Sequence, residues 1–472
     1  MALDLLTFGL LIAGFIVLVA LIGEILARIT RVPNIVFHLL FALVLTPFIL
    51  VFGFPYIDRH ILELIIGLFL AIIVFEGGYN FNRCISTVDS HLPGHRRKDC
   101  RPLPFRHLLS RILRLSVLAG TITSIIMTLL FTHLVGFPPV LAALAGTLCA
   151  ITGPTVINPI LRELKIKEEV AETLQVEGEL NDAIFAIAAG AIFTAFVIEA
   201  SGLLTNLFVI FFLIIVDLGI GILVGLAIGG GGILVANYLR PWITLRYGYR
   251  FDHMVIVTID MLGLLCAAIL AYGFGSLFGV EAAIAASLVA GMLLGQRRRF
   301  VKHIHDHRDE EDQIEEEELT EAEIHTFQLP LTHIAVATIF IFSIAASLPS
   351  MIVIITQWHL AVLAVVSACL LMFIVRPFAI FLVTIGTSFS FREKLFMSFL
   401  APRGVIISAL ALFFGFEFAT QPTGDPILAA AFLWFILAIV FVTILVEGGL
   451  ATWTAKKTGV IETESTADAA ED

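Results

Sequence analysis

Glu177-Gly178-Glu179-Leu180-Asn181-Asp182 places three carboxylates and an amide within two turns of a span, 168–198, that is otherwise apolar. At about 100° per residue, Gly178 and Asp182 share one helical stripe, and Glu177 and Asn181 share the adjacent one. Glu179 points roughly opposite Glu177 and reads as a bystander at a cytoplasm-facing opening. Charge of this density inside an apolar helix raises the question of what solvent surrounds it.

The rest of the chain answers that. Its 472 residues are 59% hydrophobic and 14% charged, with a mean hydropathy of +1.01, whereas a soluble globular protein carries roughly 25% charge. Apolar runs recur from Leu6 to Ala455, long enough for helices to cross a bilayer core, which takes about 17–25 residues each. The fold class expected is an all-α polytopic membrane protein of thirteen transmembrane helices. Their expected spans are 6–28, 33–51, 61–80, 111–134, 138–162, 168–198, 204–236, 251–274, 280–296, 329–348, 357–384, 391–416 and 425–455.

Charge bias tests the count. With the N-terminus outside, Arg28, Arg31, the Arg83–Arg111 cluster, Arg162, Lys165, Lys167, Arg240, Arg246, Arg250, Arg297–Arg299, Lys302, Arg308, Arg392, Lys394, Lys456 and Lys457 all fall on the cytoplasmic side. Outside loops keep only Arg59, the split expected when basic residues stay inside. The expectation is an integral protein of the cell membrane with a cytoplasmic C-terminus. Met1-Ala-Leu-Asp lacks a basic n-region, so the first apolar run is expected to stay as a helix. Cys149, Cys266 and Cys369 lie in helices, and Cys84 and Cys100 in an inferred cytoplasmic loop, so neither a disulfide nor a metal site is expected.

The net charge of −11 is local. Eleven carboxylates lie between Asp306 and Glu323, and five more follow Lys457. The 297–328 stretch reads as a solvated acidic loop and 457–472 as a disordered tail. His303, His305 and His307 beside the acidic loop suggest pH sensing or a divalent ion, but a solvated stretch fixes no coordination geometry. Arg96-Arg97-Lys98 suits anionic headgroups rather than nucleic acid.

Ionisable groups at membrane depth are Glu24, Glu76, Glu177, Glu179, Asp182, Asp217, Asp260, Arg376, Arg403 and Glu447. A charge at a helix centre costs about 2.5–3.5 kcal/mol on insertion scales, and such groups pair or line an ion path. Structural pairing is the plain alternative for any one of them. Thr152-Gly153-Pro154-Thr155 and Ala401-Pro402-Arg403-Gly404 add helix-breaking chemistry near the middle of the fifth and twelfth spans. Paired breaks mark a midplane binding site in transporters, although proline kinks alone give the same pattern. Arg403 in the second break is suited to hold a buried acid, and Glu177 is the expected partner.

Phe75-Glu76-Gly77-Gly78, Thr152-Gly153-Pro154-Thr155, the Glu177–Asp182 cluster and Pro402-Arg403-Gly404 occur in the order and context of monovalent cation/proton antiporters of the NhaP and sodium/hydrogen exchanger type, which this chain resembles. The resemblance implies that Asp182 binds cation or proton and that Asn181 orients the site. It makes Glu177 and Arg403 the supporting ion pair and Glu76 a further ligand or proton carrier. It implies inverted repeats with two discontinuous helices, a core of helices within 111–198 and 357–455, and a homodimer held by the remaining helices. Many relatives have an acid at Gly153 and a serine at Gly178, so Thr152, Thr155, backbone carbonyls and water have to supply oxygens here.

The expected activity is exchange of a monovalent cation, sodium first with potassium or lithium as alternatives, for a proton by alternating access at one Asp-centred site. One Asp beside Asn resembles electroneutral members. No ATP-binding signature occurs, so an ion gradient supplies the energy, with no nucleotide and no cofactor beyond the transported ions. No potassium-channel filter and no His-Glu-x-x-His motif occur, and Asp182 has no companion catalytic aspartate in a recognisable motif, which argues against a channel and an intramembrane hydrolase and for a non-enzyme. A non-transporting ion or pH sensor is the remaining alternative.

Overall fold

The computed structural model describes residues 5–30, 32–52, 59–81, 112–153, 157, 161, 166–197, 203–239, 246, 253–296, 328–347, 358–421 and 425–461. Fourteen helices account for almost all of these. They are α1 (Leu5–Thr30), α2 (Asn34–Phe52), α3 (Arg59–Asn80), α4 (Ile112–Ala119, Gly120–Leu130 and Phe131–Val135 in one rod) and α5 (Pro139–Leu148). Next come α6 (Glu168–Val197), α7 (Leu203–Leu234, continued by Val235–Leu239), α8 (His253–Ser276), α9 (Val280–Gly295) and α10 (Gln328–Ser347). The series ends with α11 (Trp358–Val383), α12 (Phe391–Phe399), α13 (Val405–Thr420) and α14 (Pro426–Thr458). Nine of the described helices are long and apolar enough to cross a membrane.

Eleven of the thirteen expected spans appear as single helices, and the two exceptions are the informative ones. The fifth expected span leaves the helix after Leu148, and residues 151–153 have no regular secondary structure. The twelfth is α12 and α13, parted by 400–404. Local chemistry sets the ends. Gly136, at φ 79°, closes α4 in the left-handed conformation that glycine adopts without strain, and Pro139 opens α5. Ser390 and Glu393 cap α12 reciprocally: the Ser390 hydroxyl accepts from Glu393 N–H at 3.3 Å, and the Glu393 carboxylate accepts from Ser390 N–H at 2.9 Å.

Packing gathers the helices into two groups. In one, α3, α7, α8 and α9 pack together, with Phe75, Tyr79, Leu264, Ala271, Ala286 and Ala290 at their shared core. Here α3 and α9 cross in backbone contact: a methyl added at Gly78 would strike the Leu288 carbonyl, and one at Gly291 the Phe75 carbonyl. Gly78 of the third-helix motif is therefore a packing residue. In the other group α4, α5 and α6 pack in sequence, α14 packs on α11, α12 and α13, and α11 runs along α4. Helix α6 touches both groups. The outward faces of α7 and α11, with Phe208, Phe211, Leu223, Phe373 and Ile374, are exposed and apolar, as lipid-facing surface is.

Two polar contacts lie away from the breaks. Glu24 holds Arg28 at 3.0 Å and Asn34 at 3.1 Å, and His333 of α10 meets Asn34 at 2.8 Å, so Glu24 is a pairing residue between α1, α2 and α10. At the other end of α6 the chain after α14 is not a free tail. Gly459 turns at φ 66°, Val460 accepts a hydrogen bond from Lys167 N–H at 3.0 Å, and Ile461 bridges to Ile166. The expected tail thus begins with an ordered clip over 457–461. Residues 462–472, nearly all of the 297–328 loop and the 83–111 basic cluster lie outside the described residues.

Candidate functional site

The two breaks touch. Gly153 N–H donates to the Pro402 carbonyl at 3.0 Å, so the non-helical end of α5 and the gap between α12 and α13 are joined backbone to backbone. Both segments have left the helix and carry peptide groups with no intrahelical partner, which a bilayer core does not satisfy. Each break takes its partners from the other and from side chains. Arg403 donates to the Ile151 carbonyl at 2.6 Å and to Ala150 at 3.4 Å. Ala401 N–H is accepted by Glu447 at 2.9 Å and Arg403 N–H by the Thr443 hydroxyl at 3.2 Å, both from α14.

Helix α6 runs past this crossing. The Asn181 amide donates to the Ala150 carbonyl at 2.8 Å and to the Thr152 hydroxyl at 3.3 Å, tying α6 to the first break. Asn181 and Thr152 are fully buried, and Asp182, 4% exposed, lies with them. Neither Asp182 oxygen has a hydrogen-bond partner among the described residues, nor does Asn181 Oδ1. That leaves the Asp182 carboxylate as a buried acceptor suited to a hard monovalent cation or a proton, while Asn181 Oδ1 lies against Gly120 of α4. The charges that bear on Asp182 are Glu179, which repels it, and Arg403, which attracts it.

The structure changes the ion pairing. Glu177 pairs with Arg376 of α11 at 2.5 Å, both side chains 2% exposed, and no hydrogen bond or ion pair joins Glu177 to Arg403. Arg403 is taken up by the Ala150 and Ile151 carbonyls, and Glu447 is the acid that bears on it most. The reason is the winding of α11 and α14. Pro377 has no N–H to give to Phe373, and the turn before it, Leu371–Val375, is π-wound, which sets the azimuth of Arg376 toward α6. Glu447 likewise lies inside the π-wound Ile444–Gly448. Both residues stood out in the sequence as charges at membrane depth; their pairing depends on winding that no 3.6-residue period reveals.

One other expectation shifts. Glu179 is buried, 1% exposed, with its carboxylate accepting from Gln175 at 3.0 Å beside Gly77 of α3, so it is not at an opening. Glu76 meets α10. Its carboxylate accepts from the Thr332 hydroxyl of α10 and lines a cavity of about 30 Å³ with Phe75, Met261, Leu264 and Gln328. Thr155 lies outside the described residues. A larger cavity, about 420 Å³, separates α3 and α8 from α13 and is walled by Gly67, Tyr272, Leu410 and Phe413. Glu281, which no motif flagged, is buried at the start of α9 against Gly190 of α6.

Crossed broken helices with a buried, unpaired carboxylate beside them define a membrane transporter of the discontinuous-helix class. The family model for the transmembrane sodium/hydrogen exchanger matches residues 15–457, and the chain belongs to that family. It is 24% identical over 423 residues to Na(+)/H(+) antiporter 1 of Methanocaldococcus jannaschii, covering 86% of this chain and 83% of that one. Two solved structures of the sodium proton antiporter MjNhaP1 from that organism share the fold. One, at pH 8, gives a TM-score of 0.64 at 21% identity over 96% of this chain and all of that one. An electron-microscopy structure gives 0.61 at 20% identity over 96% and 98%. The chain is an integral membrane protein of a transporter family, not of an enzyme family.

Proposed function

We propose that this protein exchanges a monovalent cation, sodium first, for a proton by alternating access at Asp182. The observation that carries the reading is the Asp182 carboxylate, buried beside the crossing of the two breaks with both oxygens lacking a hydrogen-bond partner among the described residues. An ionised carboxylate there, away from water, is costly unless a counter-charge arrives. Cation or proton supplies it, so the site is filled by one or the other and seldom stands empty and ionised. Exposing that single site to each side in turn couples the two fluxes.

Asn181 positions the site, because its amide ties α6 to Ala150 and Thr152 of the first break next to Asp182. Thr152, and Thr155 on the same motif, supply further oxygens in place of the acid and serine absent at Gly153 and Gly178. The Glu177–Arg376 pair and Arg403 brace the crossing. The group containing α4–α6 and α11–α14 is the moving core, and the remaining helices are the scaffold and the homodimer contact. Basic-residue bias places the N-terminus outside and the Glu168 end of α6 at the cytoplasm, in the cell membrane. One cation for one proton leaves the site's net charge unchanged and makes the exchange electroneutral.

Proton flux in proteoliposomes with a fixed pH gradient, on addition of sodium, potassium or lithium, tests this. Cation-triggered collapse in wild type and none in Asp182→Asn is the expected result, with the half-saturating cation concentration rising as pH falls because protons compete for the carboxylate. No response to any of the three in folded wild-type protein would overturn it in favour of a sensor.

A further inference from the structure

One buried acid lies away from the crossing and has no counter-charge. Glu281 stands in the first turn of α9 and is 9% exposed, and no Lys, Arg or His pairs with it among the described residues. Its carboxylate accepts from its own N–H, and the charge that bears on it is Asp217 of α7, which repels it. Packing fixes that neighbour. Gly221, Gly225 and Gly229 of α7 lie against Ala285, Val289 and Leu293 of α9, so the two helices run parallel in matched steps of four. One step back sets Asp217 level with Glu281. Asp217 is half-buried and has no basic partner among the described residues either. The N-terminus of α9 offsets about half an elementary charge at most. Two such carboxylates at membrane depth are costly to ionise together unless a cation arrives.

The pair sits where the scaffold meets the core. Oε1 of Glu281 is aimed at Gly190 of α6 and Oε2 at Gly279, and a methyl on either glycine would strike it. Gly279 turns at φ 132°, which glycine takes without strain, and so leads the carboxylate round to α6. Gly190 follows Asp182 on α6 at a distance of about 12 Å along the helix axis, on the side that the basic-residue bias makes the outer one. Past that level α6 continues to Val197 and α7 starts back at Leu203, so the α8–α9 turn beside Glu281 is sunk below the outer ends of both. The cavity of about 420 Å³ reaches the same turn. Tyr272, Ser276 and Val280 line it there, and Tyr272 also feels the charge of Glu281. The opposite wall begins at Ala409, in the second turn of α13 after the break. Among the described residues no group of three or more His, Cys, Asp or Glu could hold a metal ion. Two carboxylates alone suit a monovalent cation in passage rather than a divalent ion held in place, which takes six or so oxygens.

We propose that Glu281 and Asp217 form an outer station for the transported cation. A monovalent cation arriving from outside is held at the two carboxylates, passes along the seam between α6 and the scaffold, and reaches Asp182. Helix α6 covers Glu281 here, so the station opens when the core shifts along the scaffold, the same movement that exposes Asp182 to that side. A recess lined by one sign of charge raises the local concentration of counter-ions and the rate of their capture. This rests on the exchange reading at Asp182 and on the basic-residue orientation. It deepens that reading by giving the outer half of the path a cation site of its own, on helices that do not carry Asp182.

The test is the half-saturating concentration of the exchanged cation, sodium first, for wild type, Glu281→Gln, Glu281→Asp and Asp217→Asn. It is measured from the outside in right-side-out vesicles and from the inside in inverted vesicles, both from cells lacking other sodium/proton exchangers. Glu281→Gln is expected to raise the external value about fivefold or more and the internal value less than about twofold, with the maximal rate held within about twofold. Asp217→Asn moves the external value the same way by less, and it supplies the sided readout if Glu281→Gln does not fold. Glu281→Asp keeps the charge and recovers much of the external value. An unchanged external value in both amide variants makes the pair structural and overturns the proposal. An equal rise on both sides, or a rise confined to the inside, also overturns it, because a disturbed fold or a disturbed Asp182 site is not sided toward the outside. All of these results leave exchange at Asp182 standing, whereas no flux with sodium, potassium or lithium in folded wild type removes exchange and station together.

Discussion

The amide of Gly153 donates to the carbonyl of Pro402 at 3.0 Å, joining residues about 250 positions apart in the chain where each leaves its helix. Each break would be costly alone, since its freed peptide groups have no water to turn to. Together they satisfy one another, and the arginine of the second caps the carbonyls of the first. The crossing is thus one unit, braced by Glu447 and Thr443 from α14 and bordered by Asn181 from α6.

Removing the Thr443 hydroxyl should loosen that unit. In Thr443→Val, of nearly the same shape, Arg403 N–H loses its acceptor, and a buried donor left unmade costs about 1–3 kcal/mol. The expected result is a lower unfolding midpoint in detergent and slower cation-driven proton flux. An unchanged midpoint would mean that water or another group replaces the hydroxyl.

Glu177 and Arg376 should couple strongly, and Glu177 and Arg403 weakly. Arg376→Ala alone strands a buried carboxylate, and breaking such a pair costs about 3–5 kcal/mol. Arg376→Met with Glu177→Gln should recover much of that. A double-mutant cycle on chemical unfolding reads the coupling, and a larger value for Glu177 with Arg403 would contradict the pairing seen here.

Gly291→Ala should be poorly tolerated despite alanine's better helix propensity, because the added methyl meets the Phe75 carbonyl of α3. Overpacking of this kind costs about 1–3 kcal/mol. Gly230→Ala on α7, where a methyl meets nothing within 4 Å, is the control and should hold or slightly raise thermal stability.

Truncation at the C-terminus should have a sharp boundary. Ending the chain after Ile461 keeps the Ile166 bridge and the Lys167–Val460 bond; ending it after Thr458 removes both. Only the shorter protein should lose stability by thermal unfolding. Lys167→Ala, whose side chain is half exposed in its 2.8 Å pair with Glu393, should cost no more than about 1 kcal/mol.

Much of the molecule was legible without coordinates. Length and hydropathy of the apolar runs gave the helices, because a bilayer accepts little else, and Pro154, Pro402 and their glycines marked the breaks, because proline cannot continue the hydrogen-bond ladder. Asp182 and Asn181 stood out as polar groups inside an apolar span. Partner choice was not legible. Arg376 and Arg403 are equally charged and equally deep, and selecting between them for Glu177 needs the azimuth of α11 after its π-wound turn. Burial of Glu179 was misread for a related reason: a helical wheel gives the direction of a side chain on its own helix but not which neighbour covers that face, and Gly77 of α3 does.

The sequence by itself determined that this chain lies in a membrane, where its helices are interrupted and which residues carry charge at depth, since each follows from local composition and the cost of placing polar groups in hydrocarbon. Tertiary structure alone decided that the two interruptions hydrogen-bond to each other, that Arg376 forms the ion pair with Glu177, and that Glu179 is buried beside α3. Those are contacts between segments far apart in the chain, fixed by packing and helix winding, and no local pattern encodes them.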